Sequence, residues 1–235
     1  MLAAVILAAG ESRRMGEPKA LADFRGRTFL QRLLDATRHP RIGVTRVVLG
    51  ARAAEIRAAL NLDPAIVVEN SDWRQGQLSS IRAAIHSLLA PVGTATPGSD
   101  PGDRPIQPTQ AGAPERWKPA HMSHQRHQQT EGMLLCPVDH PLISANVVAA
   151  LIEKFDASCR PIVLPTFHGR RGHPVIFRNN LYEELLAASP ELGARAVVWS
   201  QAADVLEVPV EEPAVVLNLN DPEALRQARE RQDLI

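Results

Sequence analysis

Apolar residues in this 235-residue chain fall into short continuous runs separated by amphipathic stretches. That alternation predicts buried strands and surface helices in turn. Leu2–Ala9 reads as a strand apolar on both faces, and Arg46–Gly50, Ala65–Glu69, Met133–Pro137 and Pro161–Leu164 as further strands. Phe29, Leu30, Leu33, Leu34 and Thr37 recur at helical spacing behind a capping Thr28. Ala53–Leu60, Leu78–Leu89 and Asn146–Phe155 read as helices. Repeated units of this length predict a mostly parallel sheet with helices on both faces, a Rossmann-like three-layer α/β/α sandwich. The last third is less regular: strands over Pro174–Phe177, Val205–Val208 and Val215–Leu217, helices over Leu181–Ala187 and Ala194–Ser200, and a closing helix Pro222–Arg231. Asp221 caps that helix and Pro222 opens it.

Residues 91–131 break the pattern. They are rich in Pro, Gly, Gln and His and poor in apolar residues, so they read as a flexible, disordered insertion in one domain spanning 1–235. His121, His124 and His127 have the spacing of helical metal ligands, but the surrounding prolines argue for a solvated loop.

Composition narrows the function. Lys plus Arg and Asp plus Glu both number 26, so a broad nucleic-acid surface is not expected. The apolar N-terminal run is too short to span a bilayer and no basic segment precedes it, so neither a membrane span nor a signal peptide is expected. Cys136 and Cys159 form no disulfide framework, which fits a cytoplasmic setting.

Five constellations carry chemistry. The first strand empties into Gly10-Glu11-Ser12-Arg13-Arg14-Met15-Gly16-Glu17-Pro18-Lys19. Glycines let backbone N–H groups approach an anion and the cations neutralise it, so this loop reads as a cradle for a nucleotide triphosphate. It fits neither the Walker A nor the GxGxxG spacing. The strand over Met133–Pro137 ends in Val138-Asp139-His140, a carboxylate suited to Mg²⁺ or, alternatively, to capping a turn. Asn218 and Asn220 stand two apart on the expected strand, so both amides point to one side and either completes a metal shell; ordinary turn chemistry is the competing reading. Ser79 and Ser80, after Trp73-Arg74-Gln75-Gly76-Gln77, start a helix whose amides face any ligand there, or serve as a plain cap. Gly169-Arg170-Arg171-Gly172-His173-Pro174 suits a second anionic group, or a tight turn.

Together these segments resemble the MobA-like nucleotidyltransferases. LAAGESRRMGEPK is similar to that family's LAAGxSxRMGxxK signature. WRQGQLSSI, PVDHPLIS, GARAVV and NLNDPEAL resemble its later segments, and GRRGHPV resembles a motif of the molybdenum cofactor cytidylyltransferase branch. The resemblance implies a fold of the nucleotide-diphospho-sugar transferase type. It implies transfer of a nucleoside monophosphate, CMP from CTP, onto a phosphate-bearing acceptor, molybdopterin, with Mg²⁺ as cofactor and a molybdenum enzyme as the recipient of the product.

In that reading Leu7, Ala8, Ala9, Gly10, Ser12, Arg13 and Gly16 wrap the nucleotide phosphates, with Lys19, Arg14 and Asp139 as the catalytic residues. Asp139 with Asn218 or Asn220 holds the metal. Gly76, Ser79 and Ser80 lie near the base and ribose, and Arg171, Gly172 and His173 face the acceptor. Ala9 is similar to cytidylyl-transferring members; guanylyl-transferring members tend to carry glycine there. Asn218 departs from the aspartate of many cytidylyltransferases. The alternatives are another acceptor (a sugar phosphate, a phospholactate or methylerythritol phosphate), GTP as donor, or a nucleotide-binding maturation factor without turnover.

Overall fold

The computed structural model describes residues 1–90 and 130–231. The expectations for the insertion, and for His121, His124 and His127, lie outside the described residues, apart from the insertion's last two positions. Of those, Thr130 is buried, and Glu131 is ion-paired to Arg41.

In chain order the elements are β1 (Leu2–Ala8), β2 (Asp23–Phe24), β3 (Arg27–Thr28), α1 (Phe29–Ala36), β4 (Ile42–Leu49), α2 (Ala53–Leu60), β5 (Val67–Glu69), α3 (Gln77–Leu89), β6 (Gly132–Pro137) and α4 (Ala145–Ala157). They continue with β7 (Ile162–Phe167), β8 (Arg170–Arg171), β9 (Val175–Arg178), α5 (Tyr182–Ala187), α6 (Ala194–Ser200), β10 (Val205–Pro209) and α7 (Pro222–Glu230). The main sheet runs β10-β7-β9-β6-β1-β4-β5, with β8 on β7. β1 pairs in parallel with β4 and β6, β4 with β5, and β7 with β10. Only β9, antiparallel between β6 and β7, and the short β8 depart from that direction.

β1 shows why the layers form. Leu2, Ile6 and Ala8 enter one apolar cluster with Leu30, Leu33, Ile56 and Val148; Ala3, Val5, Leu7 and Ala9 enter another with Ile81, Ile85, Leu185 and Val197. A strand apolar on both faces needs cover on both, and α1, α2 and α4 supply one layer, α3, α5 and α6 the other. Truncating a fully buried Leu33 to alanine would cost about 2–5 kcal/mol.

A third cluster packs Phe24, Phe29, Leu142, Leu219 and Leu225 together. It docks the β2–β3 hairpin and α7 against the segment after β6. The hairpin turns through Arg25 and Gly26, both at positive φ, as a two-residue type I′ connection requires. Thr28 and Gln31 cap α1 reciprocally, side chain to backbone in both directions.

One strand expectation fails. Val215–Leu217 is no strand: Pro213–Val216 is a 3-10 turn. The Val215 carbonyl accepts the His173 N–H at 2.8 Å, and a Cβ on Gly172 would press directly into that carbonyl. The three apolar residues plug the underside of a loop instead of joining the ladder. Other boundaries move by a few residues; β4 reaches back to Ile42 and β5 starts only at Val67.

Candidate active site

The carboxyl ends of β1 and β6, with α2 and the segment after β5, surround a cavity of about 240 Å³. Ligands bind at this edge of an open α/β sheet because strand ends and helix starts meet there. Leu7 and Ala8 line it from the end of β1, Ala9, Gly10, Ser12 and Lys19 from the loop after it, and Asp139 from just beyond β6. Val138 N–H donates to the Leu7 carbonyl at 3.0 Å and Ala51 N–H to the Ala9 carbonyl at 3.1 Å, so β1's end is tied on both sides. Gly50 is required there: a Cβ would sit 2.6 Å from the Ala9 carbonyl and 2.7 Å from the Trp73 Cβ.

The loop is held open by left-handed backbone at Ser12 and Gly16. The Ser12 hydroxyl accepts the Lys19 backbone N–H at 2.9 Å, closing the loop around Pro18. The Lys19 ammonium reaches back to the Asn220 side-chain oxygen at 2.5 Å. Burial lowers the proton affinity of Lys19, Asp139 and Asp221 raise it, and Arg14 lowers it. A desolvated ammonium beside a second cation is poised for an anion that offsets both costs.

Beyond Asp139 lie two histidines. The His140 and His173 rings stand 4.6 Å apart, and each buries an Nδ1 with no hydrogen-bond partner. Burial, and then His140, push His173 down to about 4, against the opposing pull of Asp139. His140 is also lowered, chiefly by burial. Both rings are therefore neutral at physiological pH and offer uncharged polar nitrogens.

The structure brings together most of the residues marked in sequence, but not all. Gly76 and Ser80 line the cavity. Ser79 is turned inward, donating to the Gly76 carbonyl at 2.8 Å and accepting from Asn70 at 2.9 Å. Arg13 extends into solvent, 83% exposed, bonded to Glu11. Arg14 and Gly16 are exposed on the loop. Arg171 pairs with Glu207 on β10.

Gly172 packs on Val215, behind His173. Asn218 and Asn220 do not act as a pair on a strand, because a 3-10 turn precedes them: Asn218 is exposed and Asn220 meets Lys19. The marked segment Asn70–Ile81 also holds Trp73 and Gln77, which line the cavity, and Asn70, whose amide bonds both Ser79 and Ser80; none of the three has a role of its own from sequence, and Ile56, also in the lining, is not marked at all. A large aromatic beside the glycine turn was the available signal.

The donor chemistry fits a hard divalent cation. Asp139 offers carboxylate oxygens, and the Asn220 amide oxygen would join them on release from the Lys19 ammonium that it accepts in this structure; Mg²⁺-type sites use one or two protein oxygens with phosphate and water making up the rest. Among the described residues no three His, Cys, Asp or Glu side chains converge as an all-protein cage.

The sequence matches the MobA-like NTP transferase domain over residues 4–205. The chain belongs to this family. Its membership places it among the nucleotidyltransferases. This MobA-like protein is also 31% identical over 186 residues to nicotine blue oxidoreductase of Paenarthrobacter nicotinovorans, covering 74% of this chain and 80% of that one.

Its fold is shared with Rv0371c of Mycobacterium tuberculosis H37Rv at 24% identity, TM-score 0.69, covering 98% of this chain and 99% of that one. Rv0371c has also been solved in complex with manganese, where identity is 23%, TM-score 0.65 and coverage 98% of each chain. Molybdopterin-guanine dinucleotide biosynthesis protein A of Archaeoglobus fulgidus gives 15% identity, TM-score 0.61 and 97% coverage of both chains. At these identities the solved structures speak for the fold of the nucleotide-diphospho-sugar transferases. Among the described residues no helix is long and apolar enough to cross a membrane.

Proposed function

We propose that this MobA-like protein transfers CMP from CTP to the phosphate of molybdopterin and releases pyrophosphate. The observation that carries the reading is the convergence of Lys19 and Asp139, 120 positions apart in the chain, in one cavity at the strand ends. An acceptor phosphate oxygen attacks the α-phosphorus in line; the new P–O bond forms as the α–β bridge breaks, and the electron pair leaves on pyrophosphate. The nucleophile is already an anion, so positioning and charge neutralisation supply the rate.

The loop over Gly10–Gly16 cradles the phosphates, and Lys19 with Arg14 offsets charge building at the α-phosphate. Asp139 and Asn220 would hold a divalent ion, Mg²⁺, which when bound neutralises charge on the phosphate oxygens; manganese in Rv0371c supports a metal of this class. Asn218 is the second amide in reach of that role by sequence, and its exposure disfavours it. The neutral His140–His173 pair faces the acceptor. The Leu7-Ala8-Ala9-Gly10 form supports CTP, and the Gly-His-Pro segment supports molybdopterin, a ligand class for which the Archaeoglobus fulgidus protein is named.

Thermal stability measured with CTP, GTP, ATP and UTP plus Mg²⁺ tests the donor. Binding at a hundredfold excess over Kd should add about 2.7 kcal/mol. Pyrophosphate release with CTP and molybdopterin tests the transfer, and a chain that ignores all four nucleotides overturns it. The likeness to a protein named an oxidoreductase favours a second reading, an electron transfer at the same site; consumption of a supplied reductant without pyrophosphate release would select it.

A further inference from the structure

Trp73 has no part in the transfer as derived above, yet it lines the same cavity. The cavity is polarised along the sheet edge. Lys19 and Asp139 lie toward β6, on one side of β1; Trp73, Gln77 and Ser80 come from the segment after β5, on the other side. A triphosphate held at the charged pole leaves the nucleoside at the aromatic one.

The mounting is rigid. The turn over Trp73–Gln75 is closed by Gln75 N–H to the Asp72 carbonyl at 2.8 Å, and the Asn70 side-chain oxygen takes the Asp72 N–H at 2.9 Å. The same Asn70 amide holds Ser79 and Ser80, so the indole and the start of α3 are stapled to one buried side chain. The Trp73 Cβ packs where Gly50 leaves room. The exposed Arg74 guanidinium lies over one face of the indole, 4.3 Å from the ring centroid, so a base stacks on the opposite face or displaces this side chain into solvent. An aromatic fixed in this way loses little entropy when a flat ring stacks on it.

We propose that Trp73 is the platform on which the nucleobase of the donor stacks, setting donor affinity without touching the reacting phosphates. This rests on the nucleotidyl-transfer reading. A pterin ring shares the flat heteroaromatic chemistry, but the face offered to the acceptor, His140 and His173, stands on the far side of β1, beyond β6. Stacking is tolerant of base identity, so Trp73 supplies affinity and leaves the choice among bases to edge contacts such as Gln77.

The test uses the full chain with Trp117 and Trp199 replaced by phenylalanine, leaving Trp73 as its single tryptophan. Titration with CTP and Mg²⁺ in the absence of acceptor should quench its fluorescence, whereas molybdopterin alone should not. Trp73→Ala should weaken nucleotide binding roughly 10- to 100-fold and raise KM for the donor. Its kcat should stay within about threefold, since the interaction is made equally before and during the reaction. Trp73→Phe should recover most of the loss.

Nucleotide that stabilises the protein but leaves the Trp73 emission unchanged overturns the inference while the transfer reading stands. Quenching by molybdopterin and not by nucleotide also overturns it. A protein that no nucleotide stabilises overturns both.

Discussion

The two edges of the sheet treat charge in opposite ways. At the amino edge, Arg41 bonds both Glu131 and Asp156, and Glu131 also receives the N-terminal amine of Met1. Arg178 spends its donors on the carbonyls of Phe155, Ser158 and Arg160. That edge carries a hollow of about 470 Å³. Its charges are already partnered with one another, and of its lining residues only the Ser158 hydroxyl is buried without a partner.

At the carboxyl edge the polar groups are left wanting. Lys19 is desolvated with one amide contact, and His140 and His173 bury nitrogens without partners. Buried polar groups are normally paired, and leaving them unpaired costs stability, so the deficit points to groups that a ligand completes.

The largest effect should come from removing a charge at the deficient edge. Lys19→Ala and Asp139→Ala should each lower turnover roughly 10²-fold or more, as loss of one preorganised electrostatic group does. Their melting temperatures should change little, because neither side chain is part of the apolar core. Pyrophosphate release assays on the purified variants measure the first, and calorimetry the second. Near-normal turnover in Asp139→Ala would erase the contrast between the edges.

How far this contrast was legible in sequence depends on the element. β1 and β6 were readable because parallel strands covered on both faces are continuous apolar runs. Lys19 and Asp139 were readable because each follows such a run, and strand ends of one sheet edge converge. The antiparallel insertion of β9 between β6 and β7 was not readable, since strand order depends on pairings distant in sequence.

Val215–Leu217 was misread because three apolar residues look alike in a strand and in a plug. The pairing of Asn218 with Asn220 fell with it, since period-two reasoning holds only on a strand. The β2–β3 hairpin escaped notice, being two residues a side around Arg25-Gly26. Asn70 opens a segment marked in sequence, but its role was not readable, because its work is done through a buried amide that no periodicity marks.

A smaller effect lies just behind the carboxyl edge. Asn70→Ala removes the acceptor of the Asp72 N–H and the donor to Ser79 and Ser80; Ser79 keeps the Gly76 carbonyl, while the buried Ser80 hydroxyl is left short of a partner. About 1–3 kcal/mol of stability should be lost. The turn bearing Trp73 should loosen with it, so donor KM should rise as well. Urea denaturation and steady-state kinetics on the same variant read both. A stability loss with donor KM unchanged would detach Asn70 from the site and make it a purely structural staple.

At the amino edge the expected effects are smaller and confined to stability. Arg41→Ala should leave turnover unaltered and lower the melting temperature by about 2–4 °C, equivalent to about 1 kcal/mol for a chain of this size. The limit reflects exposure: the Arg41 side chain is 33% exposed and that of Glu131 47%. A large loss of turnover in this variant would mean that the two edges communicate, and the separation drawn between them would fail.

The finest test is acid. The Arg41 guanidinium, and then the Met1 ammonium, hold the Glu131 carboxyl at about 2, against an ordinary value of 4.5. Because the folded value lies below the unfolded one, the stabilisation is complete above about 4.5 and drains away as pH falls from there toward 2. Half exposure to water keeps it to about 1 kcal/mol or less. Glu131→Gln should therefore be less stable than the parent at pH 6, and the gap in melting temperature should narrow by pH 3. A gap of equal size at both pH values would show that the carboxylate's charge contributes nothing. The amino edge would then owe its stability to packing rather than to its paired ions.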